Sequence, residues 1–183
     1  MKLHLGCGKR YIPGFTHVDL ADFPHIDYNH NIRTLPMFED DSTNLIYACH
    51  CLEYFDRIEA VEVLKEWRRV LKPGGIVRLS VPDLWALMEV YKRTQDESLI
   101  MGPLFGRWVI KEPGGIEHTI YHCTAYDVFA LGDVLKLAGF RNDRRWDWRT
   151  TEHSEYDDYS QAYLPHLDRE HGKLISLNME ATK

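Results

Sequence analysis

The sequence predicts an α/β fold built on a mostly parallel sheet with helices on both faces. Three observations carry that prediction. Apolar runs of strand length recur at Lys2–Leu5, Asn44–Cys49 and Ile76–Val81. An amphipathic segment, Arg57–Leu71, separates the second run from the third. Alternation of this kind brings the strands parallel and sends each crossover helix onto a face of the sheet. The first run ends in a glycine turn, Gly6-Cys7-Gly8, where the open end of such a sheet takes its ligand.

The elements follow in order. Lys2–Leu5 is the first strand, and Pro13-Gly14 marks a turn. Phe15–Leu20 reads as a short strand that delivers an acid, Asp19, to its end; a further short strand is expected near His25–Tyr28. Asn44–Cys49 is continuously apolar after the acidic turn Glu39-Asp40-Asp41, the pattern of a strand buried on both faces. In Arg57–Leu71, Ile58, Val61, Leu64, Trp67 and Leu71 recur at helical spacing, and Lys72-Pro73-Gly74-Gly75 stops the helix. Ile76–Val81 is a strand, and Asp83 caps a helix to about Arg93. Thr124-Ala125-Tyr126-Asp127 reads as a capping box opening a helix that ends at Ala138 before Gly139. Phe140–Arg149 and Lys173–Thr182 read as two late strands. The remaining stretches, 95–123 and 150–172, are read as insertions or lid segments within one domain spanning 1–183.

Composition narrows the function classes. At 183 residues with 44% apolar and 27% charged residues, the chain has enough apolar side chain for a core of its own. A net charge of −6 argues against a nucleic-acid binder working by its global field. No apolar run approaches the roughly 20 residues that span a bilayer, and the opening run breaks at Gly6, too early for a signal segment. Four cysteines, Cys7, Cys49, Cys51 and Cys123, read as reduced thiols of a cytoplasmic protein.

Gly6 and Gly8 let backbone amides approach a ligand closely. A nicotinamide fingerprint would need a third glycine where Tyr11 stands, and its acid about 20 residues on; Asp19 lies nearer. A carboxylate at a strand end can accept from both hydroxyls of a ribose.

At this point the chain resembles a known family. L-H-L-G-C-G (Leu3–Gly8), H-V-D-L (His17–Leu20), L-P-M-F-E-D-D-S (Leu35–Ser42), Y-A-C-H-C-L-E-Y-F (Tyr47–Phe55) and E-W-R-R-V-L-K-P-G-G-I-V-R-L-S-V-P-D (Glu66–Asp83) occur in order. They resemble the motifs of class I S-adenosylmethionine-dependent methyltransferases, in particular small ones found with glycan and polysaccharide genes, and the likeness runs through L-I-S-L-N-M-E-A-T-K (Leu174–Lys183). The resemblance implies a Rossmann-like, seven-stranded sheet whose last strand is antiparallel. It implies S-adenosyl-L-methionine as cofactor, with Leu5, Gly6, Cys7 and Gly8 beneath its methionine part, Asp19 on the ribose, and Leu20, Asn31 and Ile32 around the adenine. Asn31-Ile32 stands where the family often has an Asp followed by an apolar residue, so an amide replaces a carboxylate. The third motif glycine is missing, and the link from Gly8 to Asp19 is short for a helix. The sequence opens directly on its first strand, so 95–123 or 150–172 is expected to cover the cofactor.

The implied reaction is methyl transfer to an oxygen of a small polar acceptor, a sugar or sugar nucleotide, with His50 as first candidate base, His118 as second and Tyr121 beside the acceptor. Two other classes stay open on the sequence: a non-catalytic methyltransferase-like binding module and a nucleotide-dependent, sugar-modifying oxidoreductase. No metal is expected. His118 and His122 have the spacing of a helical ligand pair, but no Glu follows the first. Cys49-His50-Cys51 lacks further ligands at matching spacing. The acidic, aromatic segment Asp157–Tyr163 reads as a solvated loop or as a wall for a polar ligand, and Arg141, Arg144, Arg145 and Arg149 as phosphate contacts or surface pairs. The motifs specify no oligomeric state.

Overall fold

A computed structural model describes residues 1–183. Its main sheet has seven strands: β1 (Lys2–Leu5), β2 (Thr16–Asp19), β3 (Tyr28–Asn29), β4 (Thr43–Cys49), β5 (Leu71–Pro82), β8 (Arg141–Arg145) and β11 (Ser176–Thr182). They lie in the order β3-β2-β1-β4-β5-β11-β8. All run parallel except β11, which is antiparallel to both neighbours. This is the Rossmann-like class I methyltransferase arrangement. The inserted antiparallel strand sets it apart from the usual dinucleotide-binding order.

One face of the sheet is apolar. Leu3, Ile46, Val77 and Ala181 form one row across it, and Leu5, Ala48, Leu79 and Met179 the next. Helix α1 (Glu59–Val70) packs there through Ala60, Val63, Leu64, Trp67 and Val70, whose three- and four-residue spacing aligns them on one stripe. Helix α4 (Val128–Leu137) adds Leu131, Val134 and Leu135.

The opposite face is polar. His17, His4, Tyr47, Arg78, Glu180 and Arg144 lie side by side on six strands, one register row across the sheet. Residues 146–163 cover the middle of this row and pair with Tyr47 and Arg78. The Tyr47 hydroxyl donates to Asp158 Oδ2 at 2.5 Å, His153 stacks on Tyr47 with ring centroids 4.2 Å apart, and Arg78 Nη1 donates to Glu152 at 3.0 Å. Arg78 and Arg144 also share Glu180.

Several expectations need correction. Asp127 rather than Thr124 caps α4, accepting from Ala130 N at 2.8 Å. The Cys123 and Thr124 amides are already given to Glu53 O, and Tyr126 bridges Asp83, so the backbone stays extended until Asp127. The strand expected to run to Arg149 stops at Arg145, because Trp146 turns in to donate its Nε1 to Leu79 O and Asp147 caps a short 3₁₀ turn, Trp148–Thr150. Lys173–Thr182 divides at Ile175. Lys173–Leu174 (β10) pairs with Tyr163–Leu164 (β9), and only β11 enters the main sheet. The strand near His25–Tyr28 is the two-residue β3. Asp83 caps α2 (Leu84–Thr94) as expected, accepting from the Trp85 and Ala86 amides. The stretch 95–123 holds α3 (Ser98–Phe105) and a hairpin of β6 (Trp108–Lys111) and β7 (Glu117–Ile120). No helix is long and apolar enough to cross a membrane.

Candidate functional site

The strand order reverses between β1 and β4, and the carboxyl ends of β1, β2 and β4 open a crevice there. The first turn at this crevice is Gly6-Cys7-Gly8. Gly6 donates its amide to Val18 O and has φ +62°; a side chain there would begin 2.7 Å from Cys51 Cβ. Gly8 has φ +52°, and nothing lies within 4 Å of where its Cβ would be. Both glycines sit in the left-handed region, but for different neighbours. Gly6 admits protein, whereas Gly8 faces open space. Cys7 is buried between them, and burial together with the Asp19 field pushes its thiol pKa up, so the thiol stays protonated and inert.

Asp19 ends β2 and is nearly buried. Its Oδ2 accepts from Gly8 N and its Oδ1 from Ala21 N, both at 2.7 Å. The carboxylate therefore ties the glycine turn to the second strand, and each oxygen keeps a lone pair. Leu20 follows, half-buried. The loop 30–38 returns beneath the crevice: Ile32 Cδ1 lies 3.4 Å from the Cβ position of Gly6, and Ile32 O accepts from Trp67 Nε1 at 2.7 Å. Asn31 caps its own turn with Oδ1 on Arg33 N, which leaves the amide Nδ2 without an internal partner. The strand ends and this loop thus bring Leu5, Gly6, Cys7, Gly8, Asp19, Leu20, Asn31 and Ile32 to one crevice.

His50 lies just past β4 with φ +51°, its amide on Ser80 O. Its Nε2 is 3.0 Å from Ser176 Oγ, and that hydroxyl donates to Tyr159 O. The hydroxyl proton is thereby used, so His50 Nε2 carries the hydrogen of its own contact. Burial, reinforced by the His122 field, pushes the His50 pKa down to about 3. His50 is a neutral donor in this geometry, and so a weak base. The Tyr159 ring stands 5.2 Å away.

His118 and Tyr121 come from the insertion instead of the strand ends. His118 is exposed on β7, with its Nε2 2.7 Å from Glu112 Oε1. Tyr121 is exposed just beyond that strand. The insertion is pinned at both ends. At its root the Cys123 amide donates to Glu53 O and the His122 amide to Phe105 O; at its far end Asp22 donates to Lys111 O at 2.8 Å. It therefore reaches from the end of β4 to the residues just past β2, across the mouth of the crevice. His118 and His122 are carried by a strand and a loop, and do not share one helical face.

The sequence reading missed Glu53, Ser176 and His122 around His50. Glu53 stands in the quoted C-L-E-Y-F, but nothing in its neighbours announces a fully buried carboxyl. The solvated-loop reading of Asp157–Tyr163 is also corrected. Asp158, Ser160, Gln161 and Tyr163 are buried, while Asp157 and Tyr159 face outward. Together with Tyr156, Asp157 faces Lys9, Arg10 and Tyr11 across a cavity of about 260 Å³ beside the glycine turn. Among the arginines, Arg144, Arg145 and Arg149 pair with Glu180, Asp83 and Asp147.

Comparison with known proteins agrees with the fold. Residues 15–79 match the family described as Methyltransferase domain. A methyltransferase of the S-adenosylmethionine-dependent type from Methanosarcina mazei superposes with a TM-score of 0.55 at 20% identity, over 100% of this chain and 91% of that one. A possible histamine N-methyltransferase from Thermotoga maritima gives 0.56 at 15% identity, over 100% and 81%. The 1,6-didemethyltoxoflavin-N1-methyltransferase of Burkholderia thailandensis, solved with S-adenosylhomocysteine, gives 0.55 at 15%, over 100% and 70%. No curated protein matches the chain in sequence. The fold is that of the class I methyltransferases.

Proposed function

We propose that the protein transfers the methyl group of S-adenosylmethionine to a hydroxyl oxygen of a small polar acceptor, a sugar or sugar nucleotide destined for a glycan, in the cytoplasm. The observation that carries this reading is the bond from Gly8 N to Asp19 Oδ2, which fixes an open glycine turn against a carboxylate with acceptor capacity to spare. In this reading Leu5, Gly6, Cys7 and Gly8 underlie the methionine part through their backbone. Asp19 takes the two ribose hydroxyls on its remaining lone pairs. Leu20 and Ile32 flank the adenine, and the free Asn31 amide meets its edge.

When bound, the cofactor supplies a methyl carbon on a sulfonium that is its own leaving group. The protein's tasks are to align the acceptor, exclude water and take the acceptor's proton. His118 suits the last task better than His50. Its Nε2 lies 2.7 Å from the Glu112 carboxylate, which would stabilise the imidazolium formed. His50 is held neutral as a donor to Ser176, so it shapes the site at the end of β4 while His118 acts as base. Tyr121 borders the acceptor from the same insertion. Tyr156, Asp157, Lys9, Arg10 and Tyr11 offer aromatic faces with donors and acceptors around one cavity, which supports a hydroxyl-rich ligand. Four free thiols support a reducing compartment.

The test is calorimetric titration with S-adenosylhomocysteine, with NAD as control. Micromolar binding that Asp19→Ala weakens by more than about tenfold, or 1.4 kcal/mol, is expected. Binding of NAD instead, or indifference to the substitution, would overturn the cofactor assignment. Sugar nucleotides offered with S-adenosylmethionine then test the acceptor class, with His118→Ala expected to lose turnover and keep cofactor binding. Binding without turnover on any acceptor would favour a non-catalytic module.

A further inference from the structure

Glu53 is fully buried at the end of β4, and neither carboxyl oxygen has a hydrogen-bond partner. The charged or titratable groups within 4 Å of it are two imidazoles: His50 Nδ1 at 3.5 Å and His122 Nε2 at 3.8 Å, both from Oε1. The tautomers of both rings are fixed by their other nitrogens. His50 donates from Nε2 to Ser176, so its Nδ1 presents a lone pair. His122 Nδ1 lies 3.0 Å from Pro103 O, which can only accept, so His122 Nε2 also presents a lone pair. Two lone pairs thus point at one buried carboxyl. An ionised carboxylate there would be buried with no hydrogen bond and no lysine or arginine beside it, an arrangement costing several kcal/mol. A single proton on Glu53 converts the same atoms into a donor facing two acceptors.

We propose that Glu53 is a neutral, proton-bearing positioning residue that holds His50 and the root of the hairpin insertion in one arrangement. The insertion depends on this point in three ways. Glu53 O accepts from both Cys123 N and Thr124 N. His122 packs so closely on Gly106 that a side chain at 106 would begin 2.4 Å from His122 Nε2. Pro103, the acceptor of the His122 ring, belongs to α3. Glu53 therefore stands where the end of β4, α3 and the root of the hairpin meet. Cys49, Cys51, Tyr54 and Tyr126 surround the same carboxyl and feel its field, and no lysine or arginine pairs with it. Burial raises the Glu53 pKa to about 8, which keeps the proton on at neutral pH.

The buried proton stands independently of the proposed function; only its effect on the cofactor site rests on that reading. Carbon-13 carboxyl spectra of the wild-type protein test the proton directly. One glutamate titrating near pH 8, and missing from Glu53→Gln, is the expected result. If every glutamate carboxyl titrates below about pH 6, the proposal is wrong, and this needs no variant to fold. Coupling is read from amide exchange of 106–122, taken relative to the intrinsic base-catalysed rate at each pH, and from S-adenosylhomocysteine affinity between about pH 6 and 9. Above the midpoint, exchange should quicken and affinity fall by up to about tenfold per pH unit. In Glu53→Gln neither should change with pH, whatever its level. A wild-type protein that binds S-adenosylhomocysteine with no pH dependence, while Glu53 titrates as expected, would remove the coupling and leave the proton. A protein that does not bind it at all, while the carboxyl titrates near pH 8, would sink the cofactor reading alone.

Discussion

The Tyr47 hydroxyl and the Asp158 carboxylate, 111 positions apart in sequence, meet at 2.5 Å over the polar face of the sheet. Asp158 is buried, and its other oxygen accepts from Ser160 N. The pair therefore fastens the covering segment 146–163 to β4.

Removing only the Tyr47 hydroxyl leaves a buried carboxylate short of a donor. Tyr47→Phe is expected to cost about 1–3 kcal/mol. The check is a lower urea midpoint with an unchanged slope. Tyr47→Phe with Asp158→Asn should recover part of the loss, since an amide needs less solvation than a charge.

The two glycines of the turn separate packing from ligand access. Gly6→Ala meets both Cys51 and a left-handed backbone, and should cost about 2–5 kcal/mol. Gly8→Ala meets only the backbone term, about 1–2 kcal/mol. It should fold, with its methyl group in the open crevice, and lose S-adenosylhomocysteine affinity. Equal melting temperatures for the two variants would contradict this division.

Acid should unfold the protein early. Burial lowers the pKa of His4, His50, His122, His153 and, less completely, His17. Each is neutral in the fold and takes up a proton on unfolding once pH drops below its unfolded value of 6.5. Stability is thus complete above 6.5 and falls as pH falls, by up to about 1.4 kcal/mol per pH unit for each histidine. Glu53 acts in the opposite sense. Its pKa is raised to about 8, so its contribution is largest below 4.5 and is lost as pH rises to 8. Five histidines outweigh one glutamate between 4.5 and 6.5. Urea midpoints at about pH 7, 6 and 5 should decline steadily, and His4→Phe should flatten the decline.

Trp67 couples the core to the cofactor loop through its bond to Ile32 O. Trp67→Phe should cost about 0.5–1.5 kcal/mol for the bond, beyond any cavity. It should also weaken S-adenosylhomocysteine binding several-fold, because Asn31-Ile32 loses its tether. Unchanged affinity would mean that the loop is held by its own turn.

The parts of the fold that sequence made legible are those where burial is lopsided or complete. The run Asn44–Cys49 enters the middle of the sheet, and Leu64 and Trp67 of the expected stripe lie against it, whereas Ile58 is exposed ahead of α1 and Val61 only partly buried. The turn at Gly6–Gly8 and the strand end at Asp19 were readable because a glycine pair breaks an apolar run. The hairpin of β6 and β7 was not, since its residues are exposed or half-exposed on both sides and leave no alternation. The stop at Arg145 depends on where Trp146 finds an acceptor, Leu79 O, which is a tertiary fact. Glu53 escaped notice because a carboxylate's ordinary place is the surface, and only the tautomers of His50 and His122 make its burial intelligible.

The position of β11 has a consequence for synthesis. It lies between β5 and β8, and β8 joins the sheet through β11 alone. While the chain is being made, every residue up to Arg145 can leave the ribosome without the sheet closing. The carboxylate that joins Arg78 to Arg144, Glu180, emerges among the last residues of this sequence. Until then Arg78 has Glu152 alone as its counter-charge, and Arg144 has none from β11.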